Sequence, residues 1–184
     1  MKATEILSSE HRVIERVITA LELGTDQLEK GQPVRPEFFI QASDFIKGFA
    51  DGCHHLKEEG VLFKTLADNG MSVQGGPVGV MLAEHEQGRV FTRGMRQAAE
   101  AMQAGDSSAV QDVVFNARGY AVLLRQHIYK EDTILFPAAD KLIPAAEQDQ
   151  VLAGFEKVEH EETGEGVHEK YLAMAGALEK EMGN

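Results

Sequence analysis

His127-Ile-Tyr-Lys-Glu131-Asp-Thr-Ile-Leu135-Phe136-Pro137 decides how this chain is read, because most of the stretch is written twice. The earlier copy is His54-His55-Leu-Lys-Glu58-Glu59-Gly-Val-Leu62-Phe63. In both, a histidine is followed four residues later by a glutamate, then by Leu-Phe at positions eight and nine. Residues four apart stand one above the other on an α-helix. Each copy therefore projects an imidazole and a carboxylate from one face, with the Leu-Phe pair adding apolar bulk one turn on. Two such helices face to face would offer two imidazoles and two bridging carboxylates to a pair of metal ions.

Outward from the repeat, glycine and proline cut the chain into helical segments. A first helix is predicted from about Thr4, where Thr4-Glu5 can cap it, to Lys30, before Gly31-Gln-Pro33. Its inner face reads Leu7, His11, Ile14, Ile18 and Leu21, at spacings of three and four. Pro36-Glu37 opens a second helix, whose stripe holds Ile40, Ile46, Ala50, His54, Glu58 and Val61 and fades at Asn69-Gly70. After Gly75-Gly76-Pro77 a third carries Val78, Met81, Leu82, His85, Arg89 and Met95. Ser108 with Gln111 forms a capping box for the fourth, which bears Val113, Tyr120, Leu123, His127, Glu131 and Ile134 and is expected to end near Pro137. Four long amphipathic helices with short breaks predict an all-α, antiparallel up-down four-helix bundle over residues 1–140. The tail, 141–184, is read as additional C-terminal helices packed on the bundle. One holds Val151, Leu152, Phe155 and Val158, and a short last one, past Gly164 and Gly166, holds Tyr171, Leu172 and Leu178.

A length of 184 residues suits one domain with a sizeable core. An apolar share of 43% and a charged share of 26% describe an ordinary soluble globular chain. No apolar run approaches the roughly 20 residues that span a bilayer, and no signal-peptide pattern opens the chain. Cys53 is the single cysteine, which excludes an intramolecular disulfide and suits a reducing compartment. A net charge of −12, with no Lys/Arg cluster to offset it, argues against nucleic acid or an anionic membrane as partner. The expected location is the cytoplasm.

His11, His54, His85 and His127 each sit at the centre of an apolar stripe on a different helix. Imidazole and carboxylate suit non-haem iron, manganese or zinc, and such sites are built in bundle cores from facing helices. Taken singly, each histidine reads more simply as a hydrogen-bonded core residue, and each His-x-x-x-Glu as a surface ion pair. Four coincidences and a duplicated suffix favour the metal reading instead. The expected ligands are His11, His54, Glu58, His85, His127 and Glu131. Divided evenly, four imidazoles and two bridging carboxylates would leave each metal ion open to a further ligand.

The ordered pattern His11, His54-x-x-x-Glu58, His85, His127-x-x-x-Glu131, with Leu62-Phe63 and Leu135-Phe136-Pro137 as suffixes, resembles the hemerythrin-like (HHE cation-binding) proteins over about residues 1–140. That resemblance implies a non-haem di-iron centre, two irons per chain bridged by two carboxylates, that meets a small diatomic ligand or peroxide. Manganese or zinc could take the same ligands. Ferritin-like di-iron bundles use Glu-x-x-His, and no such repeated pair lies on the inner stripes. Oxygen-carrying hemerythrins have a second histidine in helix three, where this chain has Arg89. They also have an aspartate five residues after the helix-four histidine, whereas here Glu131 follows His127 by four. Both departures count against reversible oxygen storage. Looser relatives sense iron or oxygen, handle peroxide or nitric oxide, or repair iron–sulfur centres. A peroxide- or nitric-oxide-consuming oxidoreductase thus stands beside an iron- or oxygen-sensing or metal-delivery module, and beside a metal-free scaffold, with no catalytic residue or protein partner assigned.

Neighbouring residues carry expectations of their own. His55 lies about 100° round an α-helix from His54, so it is read as a residue behind the ligands or on the surface. Glu15 is read as a surface or ion-pair residue, Tyr120 and Cys53 as core. Arg89 either pairs with a carboxylate ligand or is solvated. His160 and His168, in acidic surroundings, are read as parts of a solvated turn.

Overall fold

Leu7, Ile14, Ile18 and Leu21 form one buried stripe on α1 (Ala3–Glu29), as their spacing requires. The computed structural model describes residues 2–164 and 166–183, with the side chains of residues 162 and 163 left aside. Helix α2 spans residues 36–68, α3 is Pro77–Gln103, and α4 spans 110–142. Beyond them lie α5 (148–163) and α6 (Val167–Glu181). No strand occurs among the described residues.

Side-chain pairs fix the direction of each helix against its neighbour. On α1 and α4, Arg118 meets Asp26 while Ser8 meets Asp132, so the two run antiparallel. Arg96 with Asp44 and Arg89 with Asp51 do the same for α2 and α3. The first four helices are an up-down bundle.

Helices α2 and α4 contain π turns, where i→i+5 bonds replace i→i+4. They cover Ile46–His55 and Glu58–Leu62 in α2, and Glu131–Leu135 in α4. Pro137 was expected near the end of its helix, yet α4 continues to Leu142. Proline cannot donate to the preceding turn and crowds its carbonyl, and the widened turn just before it gives the ring room. Two capping expectations are also corrected. Ser108 lies within a 3₁₀ turn, Ser107–Ala109, and the Asp106 carboxylate accepts from its backbone N–H at 2.9 Å. Thr4 is already inside α1, and its hydroxyl donates across the bundle to Asp140 at 2.7 Å.

The apolar interior is in two parts. The larger packs Ile14, Leu21, Phe38, Phe45, Phe49, Met95 and Leu124, with Ala175 and Leu178 of α6 closing its side. The smaller gathers Leu7, Leu62, Phe63, Met81, Leu135 and Phe136, with Val151 and Phe155 of α5. Both Leu-Phe suffixes therefore belong to one cluster. Between the two clusters lies a polar layer holding all four stripe histidines and both repeat glutamates.

Gly48 and Gly176 test how α6 is seated. A Cβ at Gly48 would overlap the Tyr171 hydroxyl and ring, whereas at Gly176 the nearest atom is an Arg16 nitrogen at 3.8 Å. Gly48→Ala should cost about 1–3 kcal/mol through overpacking and expose α6 to limited proteolysis. Gly176→Ala should instead gain roughly 0.5–1 kcal/mol from helix propensity. Thermal and denaturant melts of the two variants check the opposite signs.

Candidate metal centre

Four helices each deliver their histidine to the polar layer, and every one of these rings is buried. The donor atoms fall into two groups whose members lie within 4.8 Å of one another. One comprises His11, His54, Glu58 and Glu131; the other His55, Glu58, His85 and His127. The structure thus brings all six expected residues together. It also adds His55, which is 3% exposed and stacks on His85 with ring centroids 3.7 Å apart.

Of the two places expected for His55, behind the ligands or on the surface, its burial excludes the surface. An ideal α-helix advances about 100° per residue, which separates adjacent side chains onto different faces. His54 and His55 close the π turn Ile46–His55, whose wider turn advances each residue less. Two consecutive rings can then enter the same core, one to each group.

The two carboxylates span the groups. Glu131 Oε2 lies 3.2 Å from both His11 Nε2 and His127 Nε2. Glu58 lies 3.6 Å from His54 Nε2 and 3.4 Å from His85 Nε2. Yet His11 Nε2, His54 Nε2 and all four carboxylate oxygens of Glu58 and Glu131 are buried without a hydrogen-bond partner among the described residues. Six orphaned ligand-type atoms around one small space are what a cation would satisfy, since buried polar groups are otherwise paired.

The outward edge of each ring is fully partnered. Nδ1 donates to Asp132 from His11 (2.9 Å), to Glu10 from His54 (2.9 Å) and to Asp51 from His55 (2.8 Å). It donates to Glu59 from His85 (2.7 Å) and to Glu84 from His127 (3.0 Å). Such bonds fix the tautomer and aim Nε2 inward, as around bound metals. Behind these acids stand cations: Arg12 on Asp132, Lys57 on Glu10 and Lys130 on Glu84. Arg89 reaches both Asp51 (3.3 Å) and Glu59 (2.7 Å), so it acts on the acids behind His55 and His85 rather than on a ligand carboxylate.

None of these five acids was singled out from the sequence, although a signal exists. The dipeptide Glu10-His11 recurs as Glu84-His85, and Lys57-Glu58-Glu59 as Lys130-Glu131-Asp132. Each acid beside a ligand serves a ring on a neighbouring helix. Asp132, in the position where oxygen carriers have their aspartate, stands behind His11. The Leu-Phe suffixes show their use as well: Phe136 stacks on His11 and Phe63 on His85, at 5.4 and 6.0 Å.

Glu15 pairs with Arg12, Cys53 is buried, and Tyr120 is core, though its hydroxyl has no partner. His160 is exposed, whereas His168 is half-buried against Phe49. A third grouping of Glu10, Cys53 and His168 already has Lys57 on Glu10.

The profile of the hemerythrin HHE cation binding domain matches residues 2–139. The chain belongs to that family. HHE domains bind metal cations, and the buried His/Glu groups described here could hold them. Uncharacterized proteins of Mycobacterium tuberculosis and Mycobacterium bovis are similar to it, each 26% identical over 181 residues. Those alignments cover 98% of this chain and 70% of each relative. No solved structure matches. No helix among the described residues is long and apolar enough to cross a membrane.

Without a metal, the HHE centre balances its charge with protons. Burial opposes a charged ring at His11, but Asp132 and Glu131 outweigh it and raise the pKa to about 9. At His127 burial again opposes, and Glu131 and Glu84 raise it to about 9. Burial and the charge of Glu131 push Glu58 well above the usual carboxylate range. Burial leaves His54 at about 4 and His55 well below its ordinary value, so both are neutral and ready to ligate. In the unfolded chain His11 and His127 would titrate near 6.5. Their contribution to stability is complete below that pH and is lost as pH rises through about 9. Metal-free protein should therefore melt progressively lower between about pH 6.5 and 9, while metal-loaded protein, whose cations replace those protons, should not. Melts of both forms across this range are the check. Parallel curves would show that His11 and His127 carry no buried proton.

Proposed function

We propose that the two groups hold a carboxylate-bridged pair of iron ions, and that this centre binds or reacts with a small ligand such as oxygen, peroxide or nitric oxide. In this reading His11 and His54 would hold one ion and His55, His85 and His127 the other, with Glu58 and Glu131 within reach of both. The observation that carries it is the set of six unpartnered buried donor atoms, backed by imidazoles whose outer edges are all held. A donor set of nitrogen and oxygen without sulfur suits iron, manganese or zinc, and the hemerythrin resemblance favours iron.

Counting His55 as a ligand changes the even division expected from four histidines. His55 would bring a third imidazole to the second ion, so the two ions would be held by unlike donor sets. Bound iron would supply a change of oxidation state and a site for the small ligand. The chain supplies the remainder: carboxylates keep the Nδ1 protons outward, and Phe63 and Phe136 cover the rings. Seven donor residues buried to 3% exposure or less favour a small ligand over an organic substrate. Burial of all donors on four helices also favours a resident metal over one handed to a partner.

Anaerobic reconstitution with ferrous iron, followed by metal analysis, should give two irons per chain, and His55→Ala should lose iron from one position. Loading should raise stability by about 2.7 kcal/mol when free metal is 100 times its dissociation constant. No more than background iron, manganese and zinc would sink the reading. Absorption spectra with oxygen, peroxide and nitric oxide then identify the ligand. Steady-state consumption of peroxide or nitric oxide would mark an oxidoreductase, and stoichiometric binding alone a sensor.

A further inference from the structure

A groove of about 480 Å³ runs between α2 and α3, outside the metal centre and separated from it by Asp51. Its walls bring Lys47 from α2 against Arg89, Arg93 and Arg96 from α3. The three arginines follow one another at i, i+4 and i+7, a like-charge ladder that destabilises an isolated helix. Arg89 and Arg96 are offset by carboxylates: Asp51 and Glu59 for the first, Asp44 and Glu100 for the second. Lys47 and Arg93 are exposed and have no carboxylate within ion-pair distance among the described residues. Every other arginine of the chain does have one. Arg93 is thus the one arginine without a carboxylate partner among the described residues, and it lines the same groove as the likewise unpaired Lys47.

The antiparallel run of α2 and α3 gives the groove two unlike ends. Lys47, Arg93 and Arg96 lie at the outer end, and Leu56 and Gly52 line the inner end beside the Asp51–Arg89 ion pair, which neutralises its own charge. The hydroxyls of Ser43 and Thr92 donate to their own helix, to the Phe39 and Gly88 carbonyls. The cations are thus the groove's available polar anchors.

We propose that this groove is a binding site for a small organic oxyanion, a carboxylate or phosphate carried on an apolar body. Its head sits between Lys47 and Arg93, and its apolar body lies towards Leu56. An occupant would lie one carboxylate away from His55, because Asp51 holds the His55 ring at 2.8 Å. Pockets of this size that pair apolar walls with a few charged groups commonly take such ligands. The assignment does not depend on which metal the centre holds.

Isothermal titration calorimetry of the full chain with octanoate and with octyl phosphate is the test. At least one should bind saturably at one site per chain, and the tighter of the two identifies the head group. Octylammonium and octanol should not compete. Lys47→Gln and Arg93→Gln should each weaken binding about tenfold, as loss of a charged hydrogen-bond partner does. Lys64→Gln, on an exposed lysine away from the groove, should leave binding unchanged. Absence of saturable binding by either oxyanion would overturn the site. So would equal binding of octylammonium, or unchanged affinity in the Lys47→Gln/Arg93→Gln double variant that still melts like the parent.

Discussion

The bond from each imidazole Nδ1 to a carboxylate is the constraint on which the rest of this structure depends. Five rings and two glutamates lie in the middle of a helical bundle, where unpaired charge is costly. The outer edges of the rings are satisfied by five acids, and each of those acids meets a lysine or arginine. Arg89 serves two of them, which links His55 and His85 through one guanidinium. Charge is passed outward in this way from the buried layer towards the surface. Of the inner edges, those of His85 and His127 meet each other at 3.1 Å. Those of His11 and His54 have no hydrogen-bond partner among the described residues, and all converge where a cation would compensate them. The layer also divides the hydrophobic core in two, so each apolar cluster is shaped by the need to flank it.

The bundle is a doubled design with one deliberate break. Helices α1 and α2 supply Glu10, His11, His54, Lys57, Glu58 and Phe63. Helices α3 and α4 supply Glu84, His85, His127, Lys130, Glu131 and Phe136 in equivalent roles. Within each half the lysine holds the acid that precedes the histidine. His55, Asp51 and Arg89 break the pattern: at the corresponding places of the other half stand Ile128, Leu124 and Glu15. The extra ring and its supporting acid and base therefore all belong to one side. The two donor groups cannot be chemically equivalent. The groove lined by Lys47 and Arg93 opens on that same side, against the acid that holds the extra histidine.

Much of this was legible in the sequence for a simple reason. Helical periodicity and the i, i+4 relation are local rules, so the four stripes, the six residues His11, His54, Glu58, His85, His127 and Glu131, and the bundle itself follow from spacing. The duplicated Leu-Phe suffix signalled bulk beside the site, and it forms the smaller apolar cluster. Capping was read less well. Asp106 rather than Ser108 satisfies the backbone before α4, because an earlier carboxylate reached the same N–H.

Tertiary structure decided what local rules cannot express. The π turn that carries His55 inward changes the angle between adjacent residues, which a count of 3.6 residues per turn does not express. Apart from Asp51, four residues before His55 on the same helix, the acids behind the rings come from neighbouring helices, so no spacing along one helix connects Glu10 with His54 or Glu84 with His127. The same holds for Lys47 and Arg93, which form a positive groove in an acidic chain only because α2 and α3 lie side by side. Sequence alone determined which residues could face the core, since that is set by periodicity within a helix. Which of them meet, and which charges remain uncompensated, was decided by packing between helices.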